Sequence, residues 1–300
     1  MNTPSFLMGL IGEGVRPSLT PPMHEKEALA HNLHFVYRPI DLVELGLEAN
    51  AVGQLLHAGA QLGFNAFNIT HPCKQVVLEF LDDLDPAAQR LGACNTVLIT
   101  EDRKLTGYNT DRSGFASALS LELPEANLTD VILLGAGGAG SAVADALLGA
   151  GTQRLSLIDP QPQRAQATAD RIQAAAPAGS TVDIRIGDST NALDWIPQAT
   201  GLVNASPVGM FSHPGMPVDP AVLHPDLWVA DIVYRPATTE LIKYAADLGC
   251  PVMPGKAMAV GQAADTFELV TGIRPDRNRM YEHLNALVTR EEQTTEGASS

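Results

Sequence analysis

The segment DVILLGAGGAGSAVADALLGAG, residues 130–151, constrains the fold more than any other stretch of the chain. Gly135, Gly137 and Gly140 form the spacing Gly-x-Gly-x-x-Gly directly after an apolar run, and an alanine-rich helical pattern follows them. Glycine at these positions permits a tight turn, close approach of the backbone to a pyrophosphate and close helix–strand packing, while the helix N-terminus offers unpaired N–H groups. The segment therefore predicts a strand–turn–helix unit that binds a dinucleotide. The alternative is a glycine-rich loop that merely turns the chain.

The next strand-like run, RLSLIDP, ends on a carboxylate, Asp159. Its distance along the chain from Gly135 is near the spacing of about 20 residues at which an acidic side chain accepts hydrogen bonds from the adenosine ribose and repels a 2′-phosphate. This spacing predicts NAD rather than NADP, although a helix cap is an alternative role that the same residue can serve. Arg164, one turn into the following helix, either holds the ribose or a phosphate or is an ordinary exposed helix arginine.

Two further loops in this half follow strand-like runs: VNASPVGM, residues 203–210, and DIVYRP, residues 231–236. In open α/β sheets, ligands bind at the carboxyl ends of the strands. The first loop is small, polar and proline-bearing, which suits contact with the nicotinamide ribose. Tyr234 in the second loop either belongs to the same site or is a packed aromatic side chain.

Strand-like and helical patterns alternate along the whole chain, and strands separated by helices of about 10–15 residues indicate parallel βαβ units in an open α/β sheet. Segment 111–124 has an acidic start and a proline stop, which predicts a helix connecting two domains. We therefore expect two α/β domains, residues 1–112 with 257–290 and residues 113–256, and a disordered tail at 291–300. The predicted strands are 6–11, 36–40, 66–69, 95–99, 131–134, 155–158, 182–186, 201–204 and 228–233, and the other predicted helices are 22–32, 48–62, 257–271 and 276–289.

Charge and composition exclude several classes of partner. The formal net charge of −15 disfavours a nucleic-acid or anionic-membrane surface, because both require basic patches. No apolar stretch approaches the roughly 20 residues that span a bilayer, and the N-terminus lacks the basic segment of a signal peptide. The 3 cysteines are far apart, which disfavours a disulfide framework and suits reducing cytoplasm. We expect a cytoplasmic protein whose partner is a small molecule rather than nucleic acid or a membrane.

Four polar clusters precede the glycine-rich segment: RPSLTPPMHE at 16–25, NITHPCK at 68–74, LGACNTV at 91–97 and GYNTDRSGF at 107–115. Within the second cluster, Pro72 cannot extend a strand interior, because it lacks an N–H group and fixes its own φ. The chain must turn there, with Asn68, Thr70 and Lys74 around the corner. Such groups suit recognition of a small polyhydroxylated molecule, although each cluster taken alone is also ordinary turn chemistry.

The joint order of these motifs resembles the shikimate/quinate dehydrogenase family, over roughly residues 6–290. Ser-x-Thr-Pro, Asn-x-Thr-x-Pro-x-Lys, Gly-Ala-x-Asn-Thr-Val, Gly-x-Asn-Thr-Asp-x-x-Gly and Gly-Ala-Gly-Gly follow one another as they do in that family. SLTPPMHE, GFNAFNITHP and DIVYRPATTELI look particularly like its NAD-preferring bacterial quinate/shikimate branch. The resemblance implies an N-terminal substrate domain with a mixed sheet, a Rossmann dinucleotide-binding domain, an active site in the cleft between them, NAD as the cofactor, and a monomer or homodimer.

The resemblance also implies roles for individual residues. Lys74 and Asp111 match the family's catalytic pair. The positions that match its substrate contacts are Ser18, Thr20, Thr70, Lys74, Asn95, Asp111 and Gln262. The positions that match its cofactor contacts are Gly135, Ala136, Gly137, Gly138, Ala139, Gly140, Asp159, Arg164, Ala205, Ile232, Tyr234 and Gly255. One departure is Cys73, beside the lysine, where relatives often carry a bulky residue such as tyrosine.

Oxidation of a secondary alcohol requires loss of the hydroxyl proton while the hydride passes to nicotinamide, so the cofactor carries the redox step. Lys74 with Asp111 fits the proton transfer, and the sequence does not decide whether the lysine shuttles the proton or holds the developing alkoxide. Ser18 and Thr20 would hold a ring carboxylate, and the remaining polar positions would hold ring hydroxyls. We expect no metal, because the cofactor is the electrophile and the 8 histidines show no ligand spacing.

Three alternatives remain beside an NAD-dependent dehydrogenase of quinate and shikimate. The first is an NADP-dependent biosynthetic shikimate dehydrogenase, against which Asp159 argues because no Asn-Arg-Thr phosphate clamp follows that strand. The second is an aminoshikimate or shikimate-only relative. The third is a catalytically silent NAD-binding regulatory module, which the presence of both Lys74 and Asp111 disfavours.

Overall fold

The structure is a computed structural model that describes residues 3–175 and 182–298. It divides into two compact units, Met1–Thr110 with Gln262–Leu287 and Asp111–Gly261 with Val288–Ser300. Each unit contains a sheet flanked by helices, which confirms the predicted pair of α/β domains. The predicted domain bounds stay a prediction.

The first unit is built on a mixed sheet. Its strands are β1 (Ser5–Gly12), β2 (His34–Asp41), β3 (Ala66–Ile69), β4 (Asp83–Leu84), β5 (Thr96–Ile99) and β6 (Leu105–Tyr108), in the spatial order β2-β1-β3-β5-β6-β4. β1 is parallel to both of its neighbours, and β4 is parallel to β6, whereas β5 is antiparallel to β3 and β6. Its helices are α1 (Thr20–Ala30), α2 (Leu42–Leu45), α3 (Val52–Leu62), α4 (Cys73–Val76) and α5 (Pro86–Leu91), with 3₁₀ turns at Ala49–Ala51 and Val77–Phe80.

Phe67 fixes the position of β3 in this unit. Its fully buried ring fills the space that a side chain would need at Gly9 of β1 and at Gly59 of α3, and it stacks on Phe64 with 4.7 Å between the ring centroids. A large ring between two glycines holds the strand tightly under the helix. The polar corner that follows β3 therefore starts from a rigid base.

The second unit is built on a parallel sheet. Its strands are β7 (Asp130–Leu134), β8 (Arg154–Ile158), β9 (Asp183–Gly187), β10 (Gly201–Asn204), β11 (Trp228–Asp231) and β12 (Val252–Met253). Its helices are α6 (Thr110–Glu122), α7 (Gly138–Gly149), α8 (Pro162–Ala175), α9 (Ser189–Trp195) and α10 (Glu240–Leu248), with 3₁₀ turns at Ile196–Gln198 and Pro220–Val222. Two last helices, α11 (Gly255–Thr271) and α12 (Arg277–Ala298), run from one unit into the residues of the other. None of the helices within 3–175 and 182–298 is long and apolar enough to cross a membrane.

In the spatial order β12-β11-β10-β7-β8-β9, the chain adds β8 and β9 on one side of β7 and then β10, β11 and β12 on the other side. The strand order therefore reverses at β7. All pairs in this sheet are parallel, and β7, β10 and β11 are buried along their whole length. Continuous apolar runs are typical of strands covered on both faces by helices. In such a sheet the crevice at the carboxyl ends of the strands on either side of the reversal is the expected place for a ligand.

Two of the boundaries that differ from the prediction have a visible cause in the structure. β11 ends at Asp231 rather than at residue 233, because the Asp231 carboxylate accepts the N–H of Val233 at 2.9 Å and takes it out of the sheet. α12 continues as helix to Ala298, whereas a disordered tail was predicted from residue 291. The guanidinium of Arg235 donates to the Glu291 carboxylate at 3.0 Å, which supports the extra turns. Residues 299–300 of the predicted tail lie outside the described residues.

Glu27 ties α1 to the start of α12 within the first unit. Its fully buried carboxylate accepts hydrogen bonds from Nε of Arg279 at 2.7 Å, from the N–H of Asp276 at 2.7 Å and from His31 at 3.0 Å. Burial opposes ionisation, but these hydrogen bonds and the nearby guanidinium outweigh it and lower the pKa of Glu27. The ionised carboxylate therefore stabilises the fold above the unfolded pKa of about 4.5.

We expect Glu27→Gln to lower the free energy of unfolding at pH 7 by about 2–3 kcal/mol, because a buried, hydrogen-bonded ion pair loses one partner. The difference from the wild type should shrink as the pH falls from the unfolded pKa of about 4.5 through the lowered pKa of the folded state, since the carboxyl is protonated in both states only below the latter. Urea denaturation curves measure both effects. Glu44→Gln is the control, because it breaks the exposed Arg16–Glu44 pair and should cost at most about 0.5 kcal/mol. Equal losses in the two variants would contradict the assignment.

Candidate functional site

The turn between β7 and α7 depends on two glycines with no room for a side chain. Gly135 has φ +93°, and a Cβ there would lie 2.7 Å from the carbonyl oxygen of Ala205. A Cβ on Gly140 would overlap the carbonyl oxygen of Gly135. The turn can therefore adopt this path only with glycine at both positions.

Gly137 differs from these two glycines because open space surrounds it. It caps α7 with extended backbone at φ −73° and ψ −166°, and a Cβ there would meet nothing within 4 Å. The first N–H groups of α7, from Gly138, Ala139 and Gly140, have no acceptor within the helix. A half-exposed cradle of N–H groups at a helix N-terminus fits a pyrophosphate, the bridging group of a dinucleotide.

Asp159 follows β8 and is joined to this turn. Its carboxylate accepts the N–H of Ala136 at 2.9 Å and the N–H of Gln161 at 2.8 Å. Arg164 lies on α8 with its guanidinium 3.8 Å from the same carboxylate and 3.0 Å from Oε1 of Gln161. Asp159 therefore does cap this part of the chain, which is one of the two roles considered for it, and its carboxylate lies directly beside the glycine turn.

The remaining predicted cofactor residues follow the carboxyl ends of β10, β11 and β12. The N–H of Ala205 donates to Leu134 at 2.7 Å, which holds this residue beside the end of β7. The N–H of Ile232 donates to the carbonyl of Asn204 at 3.0 Å. Gly255 packs so closely against the backbone of Ile232 and its successor that a Cβ would overlap it, and Tyr234 is half-buried in the same loop. The structure thus brings these predicted residues together in one unit.

Two buried polar residues that sequence reasoning missed connect these loops. Asn204 and Asp231 are the last residues of β10 and β11, and Nδ2 of Asn204 donates to Oδ1 of Asp231 at 3.0 Å. Asn204 also donates to the carbonyl of Val208 at 2.9 Å and accepts the hydroxyl of Ser206 at 2.7 Å. A polar residue that ends an otherwise apolar strand is the signal that could have found both.

Ser18 and Thr20 lie in the first unit, where the loop after β1 enters α1. Both are half-buried, and the N–H of Thr20 donates to Oγ of Ser18 at 3.3 Å. The preceding loop is held by Asp41, whose carboxylate accepts the N–H groups of Gly14 at 3.0 Å and Arg16 at 3.3 Å. Burial opposes ionisation of Asp41, but these backbone donors outweigh it and lower its pKa. Sequence reasoning missed Asp41, because its partners are far away along the chain.

Thr70 and Lys74 follow β3, as predicted. The N–H of Thr70 donates to the carbonyl of Ile11 at 2.9 Å, and its own carbonyl accepts the N–H of Cys73 at 2.8 Å. Lys74 is half-buried on α4, and its carbonyl accepts the N–H of Cys94 at 2.8 Å. The backbone of Lys74 is therefore adjacent to the segment that carries Asn95.

Asn95 is buried and organises the start of α6. Its Nδ2 donates to Oγ1 of Thr110 at 2.9 Å, and its Oδ1 accepts the N–H of Thr110 at 2.8 Å. Oγ1 of Thr110 lies 3.1 Å from Oγ1 of Thr266, which stands one turn beyond the half-buried Gln262 on α11. Asp111 follows Thr110 directly, is buried in the first turn of α6 and falls in the second unit.

Asn68 is not at the corner where the sequence analysis expected it. It is buried in β3, where its Nδ2 donates to Oγ1 of Thr96 at 2.9 Å and its Oδ1 accepts the hydroxyl of Tyr37. Its side chain is hydrogen-bonded to residues of the neighbouring strands and is not at the turn. Asn68 therefore supports the network around Asn95. This network was not predicted.

Cys73 is fully buried, and its Sγ lies 3.6 Å from the carbonyl of Ala49. Burial, with a smaller contribution from Glu13, raises the pKa of its thiol to about 11. A protonated, buried thiol is unreactive, so the departure at this position affects packing rather than chemistry. Among the residues that the structure describes, no group of three or more His, Cys, Asp or Glu side chains is arranged to hold a metal ion.

Comparisons with known proteins identify a family that the chain resembles. Residues 10–97 match the family described as the shikimate dehydrogenase substrate binding domain. A protein of Pseudarthrobacter chlorophenolicus named shikimate dehydrogenase (NADP(+)) is 53% identical over 290 residues, which cover 97% of this chain and 98% of the relative. A protein of Corynebacterium efficiens named quinate/shikimate dehydrogenase (NAD(+)) is 46% identical over 280 residues, which cover 93% of this chain and 98% of the relative.

A solved structure is similar over the same length. The structure of quinate dehydrogenase from Corynebacterium glutamicum in complex with NAD matches with a TM-score of 0.89 at 45% identity. The match covers 95% of this chain and 100% of that chain. Similar proteins thus carry names with either dinucleotide.

The glycine turn yields a matched pair of variants. We expect Gly137→Ala to keep the thermal stability of the wild type, because its Cβ enters open space, but to weaken NAD⁺ binding at least about tenfold by standing in the cradle. Gly140→Ala should lower both Tm and affinity, because its Cβ overlaps the Gly135 carbonyl. Differential scanning fluorimetry and isothermal titration calorimetry measure the two effects. Undiminished NAD⁺ binding by Gly137→Ala would show that the cradle is not the pyrophosphate site.

Proposed function

This chain belongs to the shikimate dehydrogenase family, and we propose that it catalyses the reversible NAD-dependent oxidation of quinate and shikimate at the C3 hydroxyl. The products would be 3-dehydroquinate and 3-dehydroshikimate. The cofactor, when bound, accepts the hydride at its nicotinamide ring, and the protein supplies binding, orientation and proton transfer.

The position of Asp159 beside the glycine turn is the observation that supports NAD. The Asp159 carboxylate is bonded to the turn through Ala136, which fixes it beside the cradle. We assign the adenosine ribose to this side. Ribose hydroxyls can donate to such a carboxylate, whereas a 2′-phosphate would be repelled by it. The cofactor residues of the proposal are Gly135–Gly140, Asp159, Arg164, Ala205, Ile232, Tyr234 and Gly255.

Hydrogen-bonding groups of the first unit, together with Asp111, support a polyhydroxylated substrate. We assign the ring carboxylate to Ser18 and Thr20, which share a half-buried helix entrance. We assign the binding of the ring hydroxyls to Thr70, Asn95, Asp111 and Gln262. We assign proton transfer to Lys74 with Asp111. A site built from such donors and acceptors rejects analogues that lack a hydroxyl, because its buried polar groups would be left unpaired.

Initial rates with quinate and shikimate, each with NAD⁺ and NADP⁺, test the proposal directly. We expect turnover of both acids with NAD⁺ and a lower kcat/KM with NADP⁺. Turnover with NADP⁺ alone would contradict the assignment of Asp159. Absence of turnover in all four combinations, with NAD⁺ binding intact, would favour a regulatory dinucleotide-binding module instead.

An NADP-dependent shikimate dehydrogenase is the second candidate. The relative from Pseudarthrobacter chlorophenolicus carries that name at 53% identity. Arg164 also favours it, because its half-exposed guanidinium lies beside Asp159, where a 2′-phosphate would bind. The two candidates differ in whether the carboxylate or the guanidinium decides which ribose is accepted.

Asp159→Asn separates these candidates. We expect the ratio of kcat/KM for NAD⁺ to that for NADP⁺ to fall at least about tenfold, because the variant removes the charge that repels a 2′-phosphate. Damage to the turn would lower both values together, so the ratio serves as its own control. An unchanged ratio would mean that Asp159 only caps the turn.

Lys74→Met tests the proton-transfer role. We expect kcat to fall by about 10²–10⁴-fold, because a positioned acid–base group is lost. The Kd for NAD⁺ should remain that of the wild type, since the glycine turn belongs to the other unit. Lys104→Met, which alters an exposed lysine paired with Asp102, is the control and should leave kcat unchanged. A Lys74→Met enzyme with wild-type turnover would remove the lysine from the mechanism.

A further inference from the structure

Asp231 is a fully buried carboxylate surrounded by neutral donors. Its Oδ1 accepts Nδ2 of Asn204 at 3.0 Å and the N–H of Val233 at 2.9 Å, and its Oδ2 accepts the hydroxyl of Thr239 at 2.7 Å. Within residues 3–175 and 182–298, no Lys, Arg or His side chain forms an ion pair with it. A buried charge without a countercharge is costly.

The cost of burying this charge is seen in the pKa of the Asp231 carboxyl. Burial outweighs the three hydrogen bonds and raises the pKa of Asp231 to about 6 from 3.8. Because the folded protein holds this proton more tightly than the unfolded chain does, the contribution of Asp231 to stability falls as the pH rises from about 4 to about 6. At neutral pH the ionised side chain therefore makes the fold less stable than a neutral group of the same shape would.

An asparagine would keep two of these three contacts. Its oxygen would accept the N–H groups of Asn204 and Val233, whereas its amide would face the hydroxyl of Thr239, which now donates to the carboxylate and would have to accept instead. Two of the three donors can therefore be met by a neutral side chain, so these hydrogen bonds alone do not require a charge at 231. A stability-reducing charge at the carboxyl end of a parallel strand points to a functional reason for it.

The location of Asp231 suggests which ligand the charge acts on. Asp159, at the end of β8, marks the adenosine side of the sheet reversal at β7. β10 and β11 lie on the opposite side of β7, so their carboxyl ends face the nicotinamide half of a dinucleotide bound across the reversal. Asn204 and Asp231 stand at these two ends.

We propose that Asp231 sets the preference of the protein for the oxidation state of its cofactor: its buried carboxylate favours oxidised dinucleotide, whose nicotinamide ring is cationic, over reduced dinucleotide, whose ring is neutral. The physical basis is Coulomb attraction, which is strong where water is excluded. The inference rests on dinucleotide binding as proposed above, but on no particular substrate. Asp231 acts here as a specificity-determining residue rather than as a group that exchanges protons with substrate.

The test is the binding of NAD⁺ and NADH to the full-length protein, without substrate, by isothermal titration calorimetry at pH 7.5. We expect Asp231→Asn to weaken NAD⁺ binding on the order of tenfold and to change NADH binding less than about twofold, because only the oxidised ring carries the charge. Its Tm should equal or exceed that of the wild type. ADP, which occupies only the adenosine side and the cradle, should bind both proteins equally.

Thr239→Val is the matched control. It removes a hydrogen bond to the same carboxylate but keeps the carboxyl group, so any loosening of the loops should weaken the binding of NAD⁺ and NADH by the same factor. Because loss of this hydrogen bond raises the pKa of Asp231, the titrations are repeated at pH 8.5, where the carboxyl is more fully ionised. A change in the NAD⁺/NADH ratio confined to Asp231→Asn supports the proposal. Equal weakening of both dinucleotides by Asp231→Asn, or no weakening, would overturn it.

The remaining outcomes are also decisive. An Asp231→Asn protein that does not fold would show that the fold needs the charge and would overturn the argument that separates charge from hydrogen bonding. A wild type that binds neither NAD⁺ nor NADH would instead overturn the proposed function. The two failures are therefore distinguishable.

Discussion

A backbone approach that only glycine permits is the constraint on which the second unit depends. Gly135, with φ +93°, donates its N–H to Ile158 at 2.7 Å and faces the carbonyl of Ala205. The same turn therefore sets the positions of the segment after β8, which carries Asp159, and of the segment after β10. Because β7 lies between these strands, the two ends of an extended ligand are positioned by one local geometry.

The first unit reaches a comparable rigidity through side chains. Asn95 is bonded to Thr110, Thr110 to Thr266, and Asn68 to Thr96, all in the interior of the unit. Fully satisfied buried networks favour one arrangement, because each lost bond would leave an unpaired polar group in a medium of low dielectric constant. This network fixes Thr110, the residue that precedes Asp111. It also fixes the segment around Asn95, which is hydrogen-bonded to the backbone of Lys74. Both proposed proton-transfer residues are therefore next to rigid parts of the backbone.

The longer elements and the glycine turn could be predicted from short stretches of sequence. Buried parallel strands appear as continuous apolar runs, and the glycine turn has the spacing Gly-x-Gly-x-x-Gly, so both can be recognised from neighbouring residues alone. β4 and β12 were missed because each has only two residues, and β6 (Leu105–Tyr108) lies within a polar segment. The candidate site residues that the sequence supplied, such as Lys74 and Asp159, are those that a motif carries, and their roles stay proposals. Asp41, Asn204 and Asp231 were missed because their partners are brought to them by the fold, and no spacing along the chain records that.

The buried carboxylates show how energetics separates support from function. Burial alone raises the pKa of any of them. At Glu27 the hydrogen bonds from Arg279, Asp276 and His31, with the charge of Arg279, together outweigh burial, and at Asp41 backbone N–H groups do so, and both pKa values are lowered. These two groups therefore stabilise the fold when they are ionised. Asp231 has only three neutral donors and its pKa is raised to about 6, so its charge opposes folding. A charge that the fold would be more stable without is best explained by a ligand that binds beside it, and β10 and β11 present Asp231 at the edge where that ligand would be.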